Sequence, residues 1–217
     1  MKITHYGHAC VLAELETPAG PARVLFDPGA YDQGFEELTG LDAVLITHEH
    51  PDHLDAGRLA ALHQANPSAR VLAGPGAAAR LAEAGIAHAE PADGARVTVA
   101  GAAPVRAVAG EHAVIHPDLP CVPNTGYLLG DSLYHPGDAF TLPPGEVDVL
   151  LLPTGGPWMK ASEAIDFLRA VAPRVAVPVH QAGLADVHRD LHYHLFRTLG
   201  PQGTEVRVLT PGVAAAL

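Results

Sequence analysis

A short apolar run, Val44-Leu45-Ile46, passes through Thr47 into His48-Glu49-His50-Pro51-Asp52-His53, and no other stretch restricts the chain as much. The apolar run reads as a buried strand. Three histidines and an aspartate follow it within six positions, so the strand delivers imidazole and carboxylate groups at its carboxyl end. His48 and His50 are two residues apart and, on an extended segment, project to one side, where both can close on one metal ion. Pro51 favours a turn, beyond which Asp52 and His53 can face a second ion. The alternative is a surface loop that happens to be rich in histidine. With 14 His in 217 residues, chance accounts for a lone His-x-His far more readily than for the whole string.

The segments on either side follow an α/β pattern. Residues 3–5, 10–16 and 23–26 read as an antiparallel meander that ends in Asp27-Pro28-Gly29. After the string, Leu54, Leu59 and Leu62 form a helical stripe that stops before Asn66-Pro67. A helix beginning at the string would hold Asp52 and His53 near its N-terminus. A strand at 71–73 and an Ala-rich helix capped by Gly85 come next. Strands are then expected at 97–99, 104–108, 127–129, 132–134, 147–152, 175–179 and 206–209. Between the last three lie a helix with Ser162 as its cap and a helix over 186–199 with the apolar spacing Val187, Leu191, Leu195, Leu199. Strands alternating with helices indicate sheets covered by helices. One domain over 1–217 is expected, made of two halves at about 1–93 and 94–217.

The string after a buried strand resembles the metal-binding motif of the metallo-β-lactamase fold superfamily of metal-dependent hydrolases, and the resemblance extends over essentially the whole chain. It implies a four-layer αβ/βα sandwich and three further ligands in order, each just after a strand. The chain offers His112 after Ala109-Gly110-Glu111, Asp138 after His135-Pro136-Gly137, and His180 after the strand at 175–179. One ion would then take His48, His50 and His112, the other Asp52, His53 and His180, with Asp138 bridging. The resemblance also places Asp27 behind the metals as an acceptor for a ligand imidazole, with a plain turn residue as the alternative. His8, in the turn of the first hairpin, and His116 are candidates for the substrate rim. Trp158 and Lys160, in the loop between the last two ligands, could form a substrate wall and a counter-charge, or a buried ring beside a solvated lysine.

Composition excludes several other functions. The net charge is −11 and no basic run stands out, which disfavours a nucleic-acid partner. No apolar window reaches transmembrane length, so a membrane role is not expected and a cytoplasmic enzyme is the default. Cys10 and Cys121 lie outside the ligand string and are expected to be buried free thiols. The penicillin-destroying branch has a Cys ligand that this chain lacks, and the flavodiiron branch has a carboxylate where His50 stands. What remains is similar to the compact L-ascorbate-6-phosphate lactonase-like branch.

The expected reaction is hydrolysis of a lactone or related small ester by a hydroxide shared between two divalent ions, with Asp52 orienting it and carrying a proton. A ligand set of N and O atoms suits zinc first, with manganese or iron as alternatives. A small-molecule substrate is expected, an anionic one among the candidates, and a homo-oligomer is compatible with the sequence. The competing readings are a phosphodiesterase acting on a nucleotide or lipid head group and a metal-binding scaffold without turnover.

Overall fold

The computed structural model describes residues 1–99 and 103–217. β1 (Lys2–His5), β2 (Val11–Thr17) and β3 (Gly20–Phe26) form the antiparallel meander, and β3 then pairs in parallel with β4 (Ala43–Ile46). Helix α1 (Ala56–Ala65) carries the chain over to β5 (Arg70–Ala73), parallel to β4, and α2 (Pro75–Glu83) follows. The order then repeats. β6 (Arg96–Val99), β7 (Ala103–Glu111), β8 (Pro123–Leu129) and β9 (Leu133–His135) run antiparallel, and β10 (Val149–Pro153), β11 (Val175–Val179) and β12 (Glu205–Val206) add in parallel. Helices α3 (Ala161–Val171) and α4 (Asp186–Leu199) are the two crossovers between those parallel strands. A final short strand, β13 (Ala215–Ala216), leaves the second sheet and pairs with β1.

Strand alternation divides the apolar residues into layers. Leu45 of β4 faces the space between the sheets with Val24, Phe26, Val105, Tyr127, Leu151 and Val177. Its neighbours Val44 and Ile46 face outward against Leu59 and Leu62 of α1 and Leu81 of α2. In the second sheet Leu150 and Leu152 pack outward on Ile165, Phe167 and Leu168 of α3 and Phe196 of α4. The result is the expected αβ/βα sandwich, in which strands buried on both faces read as continuous apolar runs. No helix among the described residues is long and apolar enough to cross a membrane.

Five details differ from the sequence expectation. α1 starts at Ala56, because the Asp55 carboxylate accepts the Arg58 N–H at 3.0 Å and caps it there. Residues 51–53 therefore stay in a turn, with the His53 and Leu54 N–H groups both on the His50 carbonyl at 2.9 Å. α3 begins earlier than a Ser162 cap allows, since Glu163 reaches back to the Lys160 N–H at 2.9 Å. On α4 the aliphatic stripe is not the buried face: Val187 is 74% exposed and Leu191 49%, while Tyr193 and Phe196 pack inward. The aromatic rings bury more area than the aliphatic positions they displace. The closing strand shortens to Glu205–Val206, because the chain turns to bring Gly212 N–H onto the His5 carbonyl and feed β13. Of the two free thiols Cys10 is buried and Cys121 exposed, which corrects the latter's expected burial.

Gly29 supports the loop that carries the His-rich string. The Ala30 N–H bonds the Pro51 carbonyl at 2.8 Å, and a Cβ at Gly29 would sit 1.9 Å from the Asp52 carbonyl oxygen. Gly29→Ala should therefore destabilise the fold by about 1–3 kcal/mol through overpacking against backbone, seen as a lower urea midpoint. An unchanged midpoint would show that the loop yields freely.

Candidate metal centre

The residues of the string are oriented by a buried carboxylate. Asp27 follows β3 in a left-handed conformation, φ 42°, and accepts the Thr47 N–H at 2.8 Å and the Thr47 hydroxyl at 2.7 Å. It also accepts His53 Nδ1–H and His135 Nε2–H, each at 2.8 Å. Because the Thr47 hydroxyl spends its proton on Asp27, its oxygen accepts His48 Nδ1–H at 3.0 Å. His112 Nδ1 donates to the Ala113 carbonyl at 2.5 Å, and His180 Nδ1 donates to the Gly155 carbonyl. Tautomers are read from these partners. In His48, His53, His112 and His180 Nδ1 carries the proton and Nε2 is left bare, whereas His135 donates through Nε2.

The bare nitrogens converge. His48 Nε2 lies 3.1 Å from His50 Nδ1. Asp138 stands between the groups, with Oδ1 at 3.1 Å from His53 Nε2 and Oδ2 at 3.3 Å from His112 Nε2 and 3.0 Å from His180 Nε2. Asp52 Oδ2 is 3.4 Å from His180 Nε2. Ligand atoms of His48, His50, His112 and Asp138 all fall within 4.8 Å of one another, as do those of His8, Asp52, His53 and His180. His53 Nε2, His112 Nε2, His180 Nε2 and Asp138 Oδ1 are buried without a hydrogen-bond partner. Buried acceptors that face one another unpaired are costly unless a cation lies among them, so the residues fit a metal.

The electrostatics agree. Burial opposes charge on His180, but the Asp138 and Asp52 carboxylates outweigh it and raise its pKa to about 9. Burial likewise opposes charge on His53, and Asp138 with Asp27 hold it well above the ordinary value. Asp138 is pushed up by burial, yet the surrounding rings, His53 first, keep it well below the carboxylate range. His48 is held low by burial, then by His53. A field that favours a proton at His53 and His180 also favours a divalent cation, and the two compete for the same nitrogens.

Strand ends supply each group: β4 for the string, β7 for His112, β9 for Asp138 and β11 for His180. Gly137 makes the approach of Asp138 feasible. It is left-handed, φ 65°, and a Cβ there would lie 2.2 Å from Asn124 Oδ1 and 2.8 Å from Thr47 Cβ. Asn124 accepts the Asp138 N–H at 3.1 Å and donates to the Pro136 carbonyl at 2.8 Å. His180 is also left-handed, φ 62°, at the end of β11. Non-glycine residues in that region each cost about 1–3 kcal/mol, and the surrounding structure must hold them there.

His8 sits beside the second group but faces it as a donor. Its Nδ1 accepts the Ala182 N–H at 3.1 Å, so Nε2 carries the proton and donates to Asp52 Oδ2 at 3.2 Å. Burial lowers the His8 pKa to about 4, which suits this neutral form. The third cluster, Asp27 with His53 and His135, is already joined by its own hydrogen bonds. A cleft of about 510 Å³ opens over the centre, with His8, Tyr31, Asp52, Ile115, Trp158 and Leu184 in its wall. Lys160 does not line it: the side chain is 81% exposed and 4.0 Å from Glu163. His116 points into an adjoining groove with Cys121 and is 62% exposed. Trp158 does line the cleft, and its indole N–H donates to Asp138 Oδ2 at 2.9 Å.

Sequence reasoning missed Thr47, Asn124 and this indole contact. Thr47 had a visible signal, since a hydroxyl between a buried strand and the histidine string must find a partner. Asn124 and the indole had none, as their contacts depend on loop paths.

The sequence profile of the Beta-lactamase superfamily domain matches residues 2–180. The chain belongs to that family. It is 51% identical to Protein Rv0786c of Mycobacterium tuberculosis, over 89% of this chain and 90% of that one. It is 30% identical to a UPF0173 metal-dependent hydrolase of Opitutus terrae, over 98% of both. Among solved structures, Igni18, a metallo hydrolase of Ignicoccus hospitalis, shares the fold with a TM-score of 0.75 at 21% identity, covering 100% of this chain and 98% of that one.

Asp27→Asn keeps the shape of this support but removes its charge and one acceptor. Metal affinity is expected to fall about 10–100-fold, the usual effect of losing a partner behind the ligands, measured by competition with a chromophoric chelator. Unchanged affinity would mean that Thr47 and His53 hold their orientation without it.

Proposed function

We propose that the protein is a dinuclear metal-dependent hydrolase whose substrates are small uncharged esters or lactones. The observation that carries the reading is the convergence of bare imidazole nitrogens on buried Asp138, whose Oδ1 has no hydrogen-bond partner. His48, His50 and His112 would hold one ion and Asp52, His53 and His180 the other, with Asp138 between them. The all-N/O donor set favours zinc, with manganese and iron as alternatives. Bound there, divalent ions supply an activated water and positive charge for the oxyanion.

The chain's own groups do the rest. Asp52 remains ionised: burial acts against it, but the neighbouring His180 and His8 hold its pKa below the carboxylate range. It lies in the wall of the cleft, where it can accept a proton from the attacking water and return it to the leaving alkoxide. His8 Nε2–H fixes the accepting oxygen. The cleft volume is in the range of small-molecule sites. Tyr31, Ile115, Pro157, Trp158 and Leu184 give it apolar walls, and no lysine or arginine among the described residues lines it. That supports an uncharged acyl compound over a phosphodiester, which would gain from cationic or extra hydrogen-bonding groups beyond the ions.

The test is hydrolysis by protein loaded separately with Zn²⁺ or Mn²⁺, across lactones, esters, thioesters and phosphodiesters, with Asp138→Asn beside it. Turnover of uncharged lactones or esters, lost in Asp138→Asn together with metal stoichiometry, is expected. Turnover of phosphodiesters alone would transfer the assignment to that class. Two bound ions without turnover anywhere would favour a scaffold.

A further inference from the structure

The indole of Trp158 occupies a position that a mere wall residue would not need. It is buried, and its Nε1–H points inward at Asp138 Oδ2, 2.9 Å away. The ring is held from several sides. Phe140 packs against it with centroids 5.4 Å apart, and His112 and His180 meet it edge-on at 5.8 and 6.0 Å. Gly156 leaves the space it fills, because a Cβ there would lie 2.6 Å from the indole nitrogen.

We propose that Trp158 is a positioning residue for the metal centre: its indole N–H fixes the rotation of the Asp138 carboxylate so that Oδ2 stays between the two groups of candidate ligand nitrogens while Oδ1 faces His53. The proposal rests on the metal-centre reading above. Asp138 has two oxygens with different tasks. Oδ1 faces His53, and Oδ2 faces His112 and His180. Left to itself, a carboxylate rotates broadly about its last torsion. The backbone contact through Asn124 fixes where Asp138 begins, not how the carboxylate is turned. The indole removes that freedom. An indole N–H is a donor only, so it can occupy one lone pair of Oδ2 but can neither take a proton from it nor displace it from a metal. A hydroxyl or an imidazole in the same place could exchange roles.

The chain contains one Trp, so the contact can be examined directly. Trp158→Phe keeps an aromatic ring against Phe140 and deletes the N–H. Metal-free wild-type and variant proteins would be titrated with Co²⁺ and followed by its visible absorption. The expected result is a dissociation constant about 10–100-fold higher in the variant, as for other partners behind metal ligands, with an altered band shape. Equal affinity and an identical spectrum would overturn the proposal and leave the ring a packing role. Failure of the wild-type protein to bind Co²⁺ at all would overturn the metal-centre reading and this proposal with it.

A second measurement covers a variant that does not fold. In nitrogen-15-labelled wild-type protein, the single indole N–H resonance should exchange slowly with solvent and shift when Zn²⁺ is added. A rapidly exchanging resonance that ignores Zn²⁺ would refute the contact.

Discussion

The Asp27 carboxylate is the interaction on which the other parts of the centre depend. It is fully buried, and a buried charge without partners costs several kcal/mol. Here it has four donors: the Thr47 N–H and hydroxyl, His53 and His135. Burial pushes its pKa up, but the two imidazoles, His53 first, hold it below the carboxylate range. Thr47 and His53 belong to the loop after β4, whereas His135 ends β9 in the other sheet. One anion therefore orients His53 and, through Thr47, His48 of the string, and joins the two sheets behind them. Its left-handed backbone, φ 42°, is the local strain that this arrangement has to hold.

The protein also separates two kinds of environment within a few ångströms. Behind Asp138 the imidazoles of His48, His53, His112 and His180 are oriented by hydrogen bonds to a hydroxyl, a carboxylate or backbone carbonyls. In front of it the cleft walls are largely apolar. Oriented polar groups at one end and apolar area around the remainder are features common to small-molecule sites.

Much of the fold was legible because strand alternation and helix spacing are local. β4, β10 and β11 are short apolar runs, and each lies where the sequence predicts a strand. The string from His48 to His53 was legible as chemistry because its groups are close in sequence. His112, Asp138 and His180 were expected only from the order that the resemblance implies, each after a strand, and the structure brings them beside the string. Lys160 shows the limit: two residues from Trp158, it turns to solvent as α3 begins while the indole turns inward. The face of α4 was misread because an i+4 aliphatic pattern and a pair of aromatics competed, and packing chose the aromatics. β13 could not be foreseen, since two alanines pair with β1 only after the whole sandwich has formed.

The proposed ligands come from both sheets, His48 to His53 from the first and His112, Asp138 and His180 from the second. Neither half of the chain owns a complete cage. A nascent chain that has built only its first sheet can offer histidines to passing ions but cannot enclose them. Capture would then act as an inspection of the finished article, retaining ions only on molecules whose two halves have met in register.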